Sequence, residues 1–342
     1  MSERALAIVL SGGGMNGLLL ELGFLRRLRE DPLWESVGWI YGTSAGALTG
    51  LHDYALPDTI AERLAPIDQL ARDVVAAPIE LVVCVTDVSD GEIDERRAYE
   101  RLFSSRTTEP DELGRAILAS AAISALVLPL RVGDVIGTDG GWVRNFPLGH
   151  AYDNPAVGEI VGFQFVPQPS HVTGENLARL RRRLEPFRAV PPIRALLEEV
   201  RAAEERQQRG EPGHLAEMIG RLMRVTVARN TTLEVRSAEA KDASVRELEA
   251  LRADVLASVR RNARPWRRGR AVREVQERFA AARFPFRHDR ALPLTIVRGS
   301  AGEHALDPTF RSGLEWPVET KRALIERGRT LADEMLARRR AV

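Results

Sequence analysis

Short runs of consecutive apolar residues alternate with helix-like stretches along the first half of the chain. Buried strands are predicted at 5–10, 37–41, 79–86, 160–166 and, further on, 292–297. Between the first two, Gly17 to Arg29 carries leucines at helical spacing, with arginines near its C-terminal end, where positive charge complements the helix dipole. Strands that alternate with helices predict an α/β fold, in which a mostly parallel central sheet carries helices on both faces.

The pattern changes near residue 172 and changes back near 284. Charged, arginine-rich helical segments follow one another there, interrupted at Pro191-Pro192, Pro212-Gly213 and Pro265. A helix with an apolar stripe is then expected from Pro317 to Arg340. We interpret the chain as one domain, 1–342, with an α/β core at 1–171 and 285–342 and a helical insertion or cap at 172–284.

The composition is that of an ordinary globular protein. Of 342 residues, 44% are hydrophobic and 28% charged, which excludes a mainly disordered chain. The single cysteine, Cys84, excludes an internal disulfide and a four-thiolate zinc site and favours a reducing compartment. The longest uncharged run, Ala116 to Leu130, predicts a helix that Pro129 stops, and it is shorter than the roughly 18 residues of a membrane-spanning helix. Ala5 to Leu10 is short for an export signal. We therefore expect a cytoplasmic protein.

Charge is balanced over the whole chain but not along it. There are 49 basic and 48 acidic residues, yet 171–290 holds 27 basic and 17 acidic side chains. The densest basic stretch is Arg260–Arg270, which contains Trp266. Basic residues and tryptophan both favour an anionic bilayer surface, so peripheral membrane contact is one interpretation and a solvated arginine-rich loop is the other. No helix-turn-helix or aromatic-rich sheet pattern indicates nucleic-acid binding.

A glycine loop follows the first predicted strand, with the sequence Gly12-Gly13-Gly14-Met15-Asn16-Gly17. Glycines let backbone N–H groups approach a ligand, and a helix N-terminus favours negative charge. The loop also fits the G-x-G-x-x-G spacing of dinucleotide sites. The next strand, however, ends without the acidic residue that this fingerprint expects. A nucleotide-binding module therefore stays as an alternative.

Two further motifs contain a candidate nucleophile and a candidate base. Gly42-Thr43-Ser44-Ala45-Gly46 has the G-x-S-x-G pattern of a strand-to-helix turn that projects a serine. Asp139-Gly140-Gly141 follows a strand or hairpin predicted at 132–137, and Asp139 is either a general base or a turn residue.

The base that would activate Ser44 is not evident from the histidines. None of the six lies at a recognisable spacing, although His288 or His304 would complete the Ser–Asp–His order of α/β-hydrolases. A carboxylate replaces histidine where water is excluded, because burial raises its basicity.

In their order along the chain, the three motifs resemble those of the patatin-like phospholipase family. Further similar segments are Cys84–Gly91, Ala119–Ala122, Asn145–Pro147 and Leu324–Gly328. The resemblance covers about 1–166 and 290–342 and is absent over the helical middle. It implies a three-layer α/β fold and hydrolysis of fatty acyl esters, commonly of phospholipids, by a lipid acyl hydrolase without metal or cofactor.

The resemblance also implies the roles of individual residues. Ser44 is the acylated nucleophile, Asp139 the base, and the oxyanion hole consists of the amides of Gly12, Gly13, Gly14 and Met15. Supporting positions are Asn16, Gly17, Gly42, Gly46, Gly140 and Gly141. Asn16 stands where the family usually has lysine or arginine. This departure leaves a catalytically weak or inactive lipid- or acyl-binding protein as the alternative function.

Overall fold

The computed structural model describes most of the chain and divides it into two compact units. The described residues are 5–54, 67–89, 99–122, 128–166, 178, 181–182, 184–189, 191–209, 215–282, 291–302 and 318–341. One unit comprises Met1–Val166 with Arg229–Val342, and the other comprises Pro167–Ala228. The sequence-based division into a core and an insertion at 172–284 stays a prediction.

The described strands form one eight-stranded sheet. They are β1 (Leu6–Leu10), β2 (Val37–Thr43), β3 (Glu80–Asp87), β4 (Glu100–Ser104), β5 (Leu130–Val132), β6 (Val135–Asp139), β7 (Glu159–Phe165) and β8 (Leu294–Gly299). The order is β5-β6-β3-β2-β1-β7-β8, with β4 also paired to β3. The pairs from β3 through β2, β1 and β7 to β8 are parallel, whereas β4, β5 and β6 pair antiparallel. The predicted mostly parallel sheet is confirmed.

Helices follow most of the parallel strands. They are α1 (Gly14–Arg29), α2 (Ala45–Tyr54), α3 (Ile67–Ala76), α4 (Pro110–Ser120), α5 (Gly141–Arg144), α6 (Leu148–Asp153), α7 (Pro191–Gln208), α8 (Leu215–Asn262), α9 (Pro265–Ala281) and α10 (Val318–Arg340). Prolines begin α7 and α9, where the fixed φ of proline suits the first turn and its missing N–H costs nothing.

Alternate residues of β1 point into two separate apolar cores. Ile8 packs in a cluster with Phe24 of α1 and with residues of α10. Val9, on the opposite face of the sheet, packs in a second cluster with Tyr152 of α6 and Val235 of α8. Because a strand presents successive side chains to opposite faces, a sheet covered on both sides requires such a continuous apolar run. The molecule thus has the predicted three-layer α/β fold.

The closing helix α10 packs against α1 at unusually short range. A methyl group on Gly23 would lie 1.9 Å from the carbonyl oxygen of Ile325, and one on Gly328 would lie 2.0 Å from that of Leu20. Glycine at both positions therefore lets the two backbones touch. Beside this contact, Glu21 of α1 is fully buried, and burial raises the pKa of its carboxyl well above the ordinary value.

Two segments differ from the sequence-based expectation. The helix expected in the apolar run 116–130 begins earlier, at Pro110, and its described part ends at Ser120; residues 123–127 lie outside the described residues. The strand or hairpin expected at 132–137 is the β5–β6 hairpin, which turns at Gly133 with φ +57°. Strand β4 was not predicted, because its sequence, Glu-Arg-Leu-Phe-Ser, has no run of apolar residues.

Candidate active site

Ser44 lies on a sharp turn between β2 and α2. Its φ of +54° is in the left-handed region that residues with a side chain rarely adopt. A methyl group on Gly42 would lie 2.6 Å from the carbonyl oxygen of Gly46, and one on Gly46 would lie 2.6 Å from that of Leu10. Glycines are therefore required on both sides of the serine, as a strand-to-helix turn that exposes a nucleophile demands.

Ser120, at the C-terminal end of α4, holds this turn in place. Its hydroxyl donates to the carbonyl oxygen of Cys84 over 2.6 Å and accepts a hydrogen bond from the Ser44 amide over 2.9 Å. The Thr43 hydroxyl donates to the carbonyl oxygen of Arg144, 2.9 Å away. A backbone strained by about 1–3 kcal/mol persists only where its surroundings hold it, and these bonds supply that support.

Asp139, at the end of β6, lies beside Ser44, and the Ser44 side chain lowers the pKa of its carboxyl. Its Oδ1 also accepts the Gly141 amide over 2.7 Å. Both side chains are nearly inaccessible, with exposures of 7% for Ser44 and 8% for Asp139. Burial raises the pKa of Asp139 to about 6, while the bonds from Ser44 and Gly141 lower it. At neutral pH the group is a carboxylate with the basicity that proton abstraction requires.

The register of the sheet explains why two residues so distant in sequence meet. Thr43 of β2 pairs with Cys84 of β3, and the next residue of β3, Val85, pairs with Asp139 of β6. Ser44 and Asp139 thus leave the sheet at the same level. Gly140 permits the close fit, because a methyl group there would lie 2.2 Å from the carbonyl oxygen of Cys84.

The glycine loop abuts Ser44 where β1 ends. A methyl group on Gly12 would lie 3.2 Å from Cβ of Ser44, and one on Gly13 would lie 2.7 Å from the Phe165 ring. The next residue, Gly14, has φ +55° and begins α1. These glycines bring the start of α1, with its positive dipole end, beside the serine.

The loop offers backbone N–H groups to a bound anion. The Gly17 amide is the donor of the first intrahelical bond of α1, to the Gly13 carbonyl over 3.0 Å, and the amides of Gly14 and Met15 come before it in the chain. Gly14 and Met15 are exposed, Met15 by 43%, whereas Asn16 is half-buried and Gly17 is buried. The role of these amides as oxyanion donors stays a prediction.

Gly12 corrects one expectation. Its amide, predicted as a donor to the oxyanion, donates instead to the carbonyl oxygen of Asn145 over 2.9 Å. That bond takes Gly12 out of the predicted oxyanion hole, and its contribution is the close approach of the loop to Ser44. The predicted donors that remain are the amides of Gly13, Gly14 and Met15.

Asn145 is a site residue to which sequence reasoning gave no role. Its side-chain nitrogen donates to the carbonyl oxygen of Gly12 over 3.3 Å and to the Thr231 hydroxyl of α8 over 3.0 Å. Its Oδ1 would lie 3.0 Å from a methyl group on Gly141. Asn145 therefore ties the glycine loop to the segment after Asp139. The sequence signal available for Asn145 was its place in the segment Asn145–Pro147, whereas nothing in the sequence pointed to Thr231.

A charged network supports the same segment from outside. Arg144 bonds Glu100 through Nε at 2.5 Å, and through Nη1 it also bonds Glu234 of α8. Nε2 of His150 lies 2.9 Å from Glu100 as well. His150 is the one histidine whose side chain the structure describes, and no described imidazole bonds Ser44. His288 and His304 lie outside the described residues.

Other chemistry at this edge of the sheet is limited by burial. Cys84 is fully buried, and burial raises the pKa of its thiol, so it does not compete as a nucleophile.

Among the residues that the structure describes, no three His, Cys, Asp or Glu side chains are grouped as metal ligands. Within that part of the chain, no helix combines the length and apolarity needed to cross a membrane.

Comparison with known proteins adds no argument about fold or function. No family model and no curated protein matches the chain. Among solved structures, VipD from Legionella pneumophila aligns with a TM-score of 0.42 and 12% identity over 98% of this chain and 67% of that one. This likeness is too distant to bear on function, so we base the function on the geometry of the site.

Proposed function

We propose that this protein is a serine acyl hydrolase of the patatin-like class, acting on fatty acyl esters through a Ser44–Asp139 dyad. The observation that carries the proposal is the placement of Ser44, strained at φ +54°, beside the buried carboxyl of Asp139 at the same level of the sheet. A serine at an ordinary turn needs neither the strain nor a carboxylate partner. The resemblance of the three motifs to that family supports the same assignment.

Acylation begins when Asp139 accepts the proton of the Ser44 hydroxyl as its oxygen attacks the ester carbonyl. The carbonyl π bond breaks, and its electron pair forms the tetrahedral oxyanion. Collapse of this intermediate breaks the bond to the leaving alcohol, which takes the proton from Asp139. Water then attacks the acyl-serine while Asp139 accepts its proton. Collapse of the second tetrahedral intermediate breaks the bond between the acyl carbon and Ser44 Oγ, which takes the proton back from Asp139, and the fatty acid leaves.

The oxyanion is stabilised by the amides of Gly13, Gly14 and Met15 together with the positive end of α1. Loss of one such donor typically costs about a hundredfold or more in kcat. The bond that Asn145 donates to the Gly12 carbonyl and the bond that the Ser44 amide donates to Ser120 fix these groups before substrate binds. Positioning of this kind is needed in a dyad, because a dyad has no third catalytic side chain that orients the base.

A lipid-panel hydrolysis assay read by mass spectrometry tests the proposal. The panel contains phospholipids, neutral glycerides and acyl thioesters, so the same experiment distinguishes the substrate class. We expect wild-type protein to release fatty acid from at least one acyl ester. Ser44→Ala and Asp139→Asn should each reduce turnover to background while keeping the native circular dichroism spectrum.

A matched control separates loss of the dyad from general disturbance of the site. Ser104→Ala removes a hydroxyl that bonds Glu80 at the far side of β3 and should leave turnover unchanged. Near wild-type turnover in Ser44→Ala or Asp139→Asn would overturn the proposal. Lipid binding without any turnover would favour the alternative, a non-catalytic acyl-binding protein.

A further inference from the structure

We propose that the junction of α8 and α9 is a docking surface for an anionic lipid bilayer. Seven arginines and no acidic residue lie between Val255 and Arg273: Arg260, Arg261, Arg264, Arg267, Arg268, Arg270 and Arg273. We call this set the arginine junction. It belongs to the same unit as the candidate active site but contributes no residue to it.

Within the described part of the chain, no acidic side chain pairs with the arginine junction. Among the described residues, no carboxylate lies within 4.0 Å of any of its seven guanidinium groups. The arginines of α10 behave differently, since Arg329 pairs with Glu30, Arg339 with Glu159 and Arg340 with Asp31. In a chain with nearly equal numbers of acidic and basic residues, this cluster leaves its charge for an external anion.

Trp266 adds an apolar group at the centre of this charge. Its side chain is 74% exposed, and the Arg264 guanidinium lies 5.6 Å from the ring centroid. None of the side chains described on α9 is buried. Trp266, Arg270 and Arg273 are spaced i, i+4 and i+7 and so share one face of α9. The helix therefore presents indole and guanidinium groups together to the outside.

An indole beside several cations matches the chemistry of a bilayer interface. Tryptophan is enriched at the headgroup level of membranes, and arginines near an anionic surface each add to the attraction. A nucleic acid would satisfy the charge as well. It would leave Trp266 in water, however, unless an unpaired base stacked on the ring. We therefore assign the surface to lipid and make nucleic acid an outcome of the test.

Vesicle binding by the full-length Ser44→Ala protein tests this assignment without hydrolysis of the lipid. Vesicles of phosphatidylcholine alone are compared with vesicles containing about one third phosphatidylglycerol. We expect sedimentation with the anionic vesicles only, weakened by added salt. Replacing Arg267, Arg270 and Arg273 by glutamine should weaken partitioning by on the order of a hundredfold, from about fivefold for each arginine.

A charge-matched variant and a position-specific probe complete the experiment. Arg322, Arg327 and Arg338, exposed on α10, are replaced by glutamine as the control, which should bind anionic vesicles as the parent does. Brominated acyl chains should quench tryptophan fluorescence in the parent, and Trp266→Leu should abolish that quenching.

The proposal is overturned by any of three results. These are equal binding to neutral and anionic vesicles, equal loss in the arginine-junction and control variants, or unchanged quenching in Trp266→Leu. Tighter binding to a single-stranded oligonucleotide than to anionic vesicles would also overturn it. Because the assay uses Ser44→Ala, its outcome is independent of whether Ser44 is a nucleophile.

Discussion

Titration of Asp139 should control the activity of this protein at mildly acidic pH. Burial raises the pKa of Asp139 to about 6 from its ordinary value of 3.8, and the base works only when ionised. A group of that pKa is about nine-tenths ionised at pH 7 but only about one-tenth ionised at pH 5. We expect kcat/KM to fall about tenfold between these values, with a slope of one on the acid limb.

The assay is a pH profile of kcat/KM on the ester found in the lipid panel. An aspartate of ordinary pKa would lose only a few per cent of its ionised form by about pH 5, so a flat profile there would refute the reasoning. A histidine would give a similar limb. Diethylpyrocarbonate, which modifies histidines, should therefore leave both the activity and the acid limb of the profile intact. Loss of activity on this modification would refute a dyad without histidine.

The same raised pKa predicts a cost in stability. The folded state holds the Asp139 proton more tightly than the unfolded chain, so this group's contribution to stability is complete below pH 3.8 and is lost as pH rises through about 6. The shift corresponds to about 3 kcal/mol. Asp139→Asn should abolish activity yet raise the free energy of urea unfolding at alkaline pH by up to about 3 kcal/mol. Unchanged or reduced stability would contradict the burial argument.

Three further predictions concern the support of the site and of the fold. Asn145→Ala should lower kcat about tenfold with a small change in KM, and Thr231→Val should do so to a lesser degree, because each removes a buried bond behind the glycine loop; steady-state kinetics measures both, and unchanged kcat in Asn145→Ala would refute this positioning role. Gly328→Ala should cost about 3 kcal/mol in urea unfolding, because its methyl group would meet the α1 backbone at 2.0 Å, whereas Gly269→Ala on exposed α9, with nothing within 4 Å, should be neutral or stabilising. Glu21→Gln should raise the free energy of unfolding at neutral pH, because the contribution of the buried carboxyl to stability is lost as pH rises above its ordinary pKa of 4.5; an unchanged pH dependence of unfolding would exclude that cause.

The buried parallel strands were predictable because a strand covered by helices on both faces of the sheet needs apolar side chains at consecutive positions, and these appear in the sequence as a continuous apolar run. The runs at 37–41 and 160–166 fall within or next to β2 and β7, displaced at their ends by no more than two residues. An edge strand such as β4 has no such requirement, since half its side chains meet solvent, and its mixed sequence hid it. The predicted bounds of the helix at 110–120 were displaced, because a run of apolar residues indicates burial but does not indicate where a helix begins.

The candidate dyad was predictable for a different reason. Ser44 and Asp139 each lie in a short glycine-containing motif. Steric contacts between residues that are close in sequence determine the backbone geometry of such a motif. The Gly12 amide was misassigned because its partner, the Asn145 carbonyl, lies 133 positions away and leaves no local trace. The same is true of Thr231, whose hydroxyl reaches the site from a helix with no sequence motif. Local patterns indicate candidate reactive groups, whereas tertiary packing decides which amides are already hydrogen bonded elsewhere.

The central claim is that one oxygen, Oγ of Ser44, is activated by one carboxylate. Covalent trapping with a lipid-like fluorophosphonate, followed by intact-protein and peptide mass spectrometry, tests it most directly. The account predicts a single adduct per chain, located on Ser44, absent from Ser44→Ala and formed far more slowly in Asp139→Asn. No adduct on folded wild-type protein, or an adduct on another residue, would contradict it.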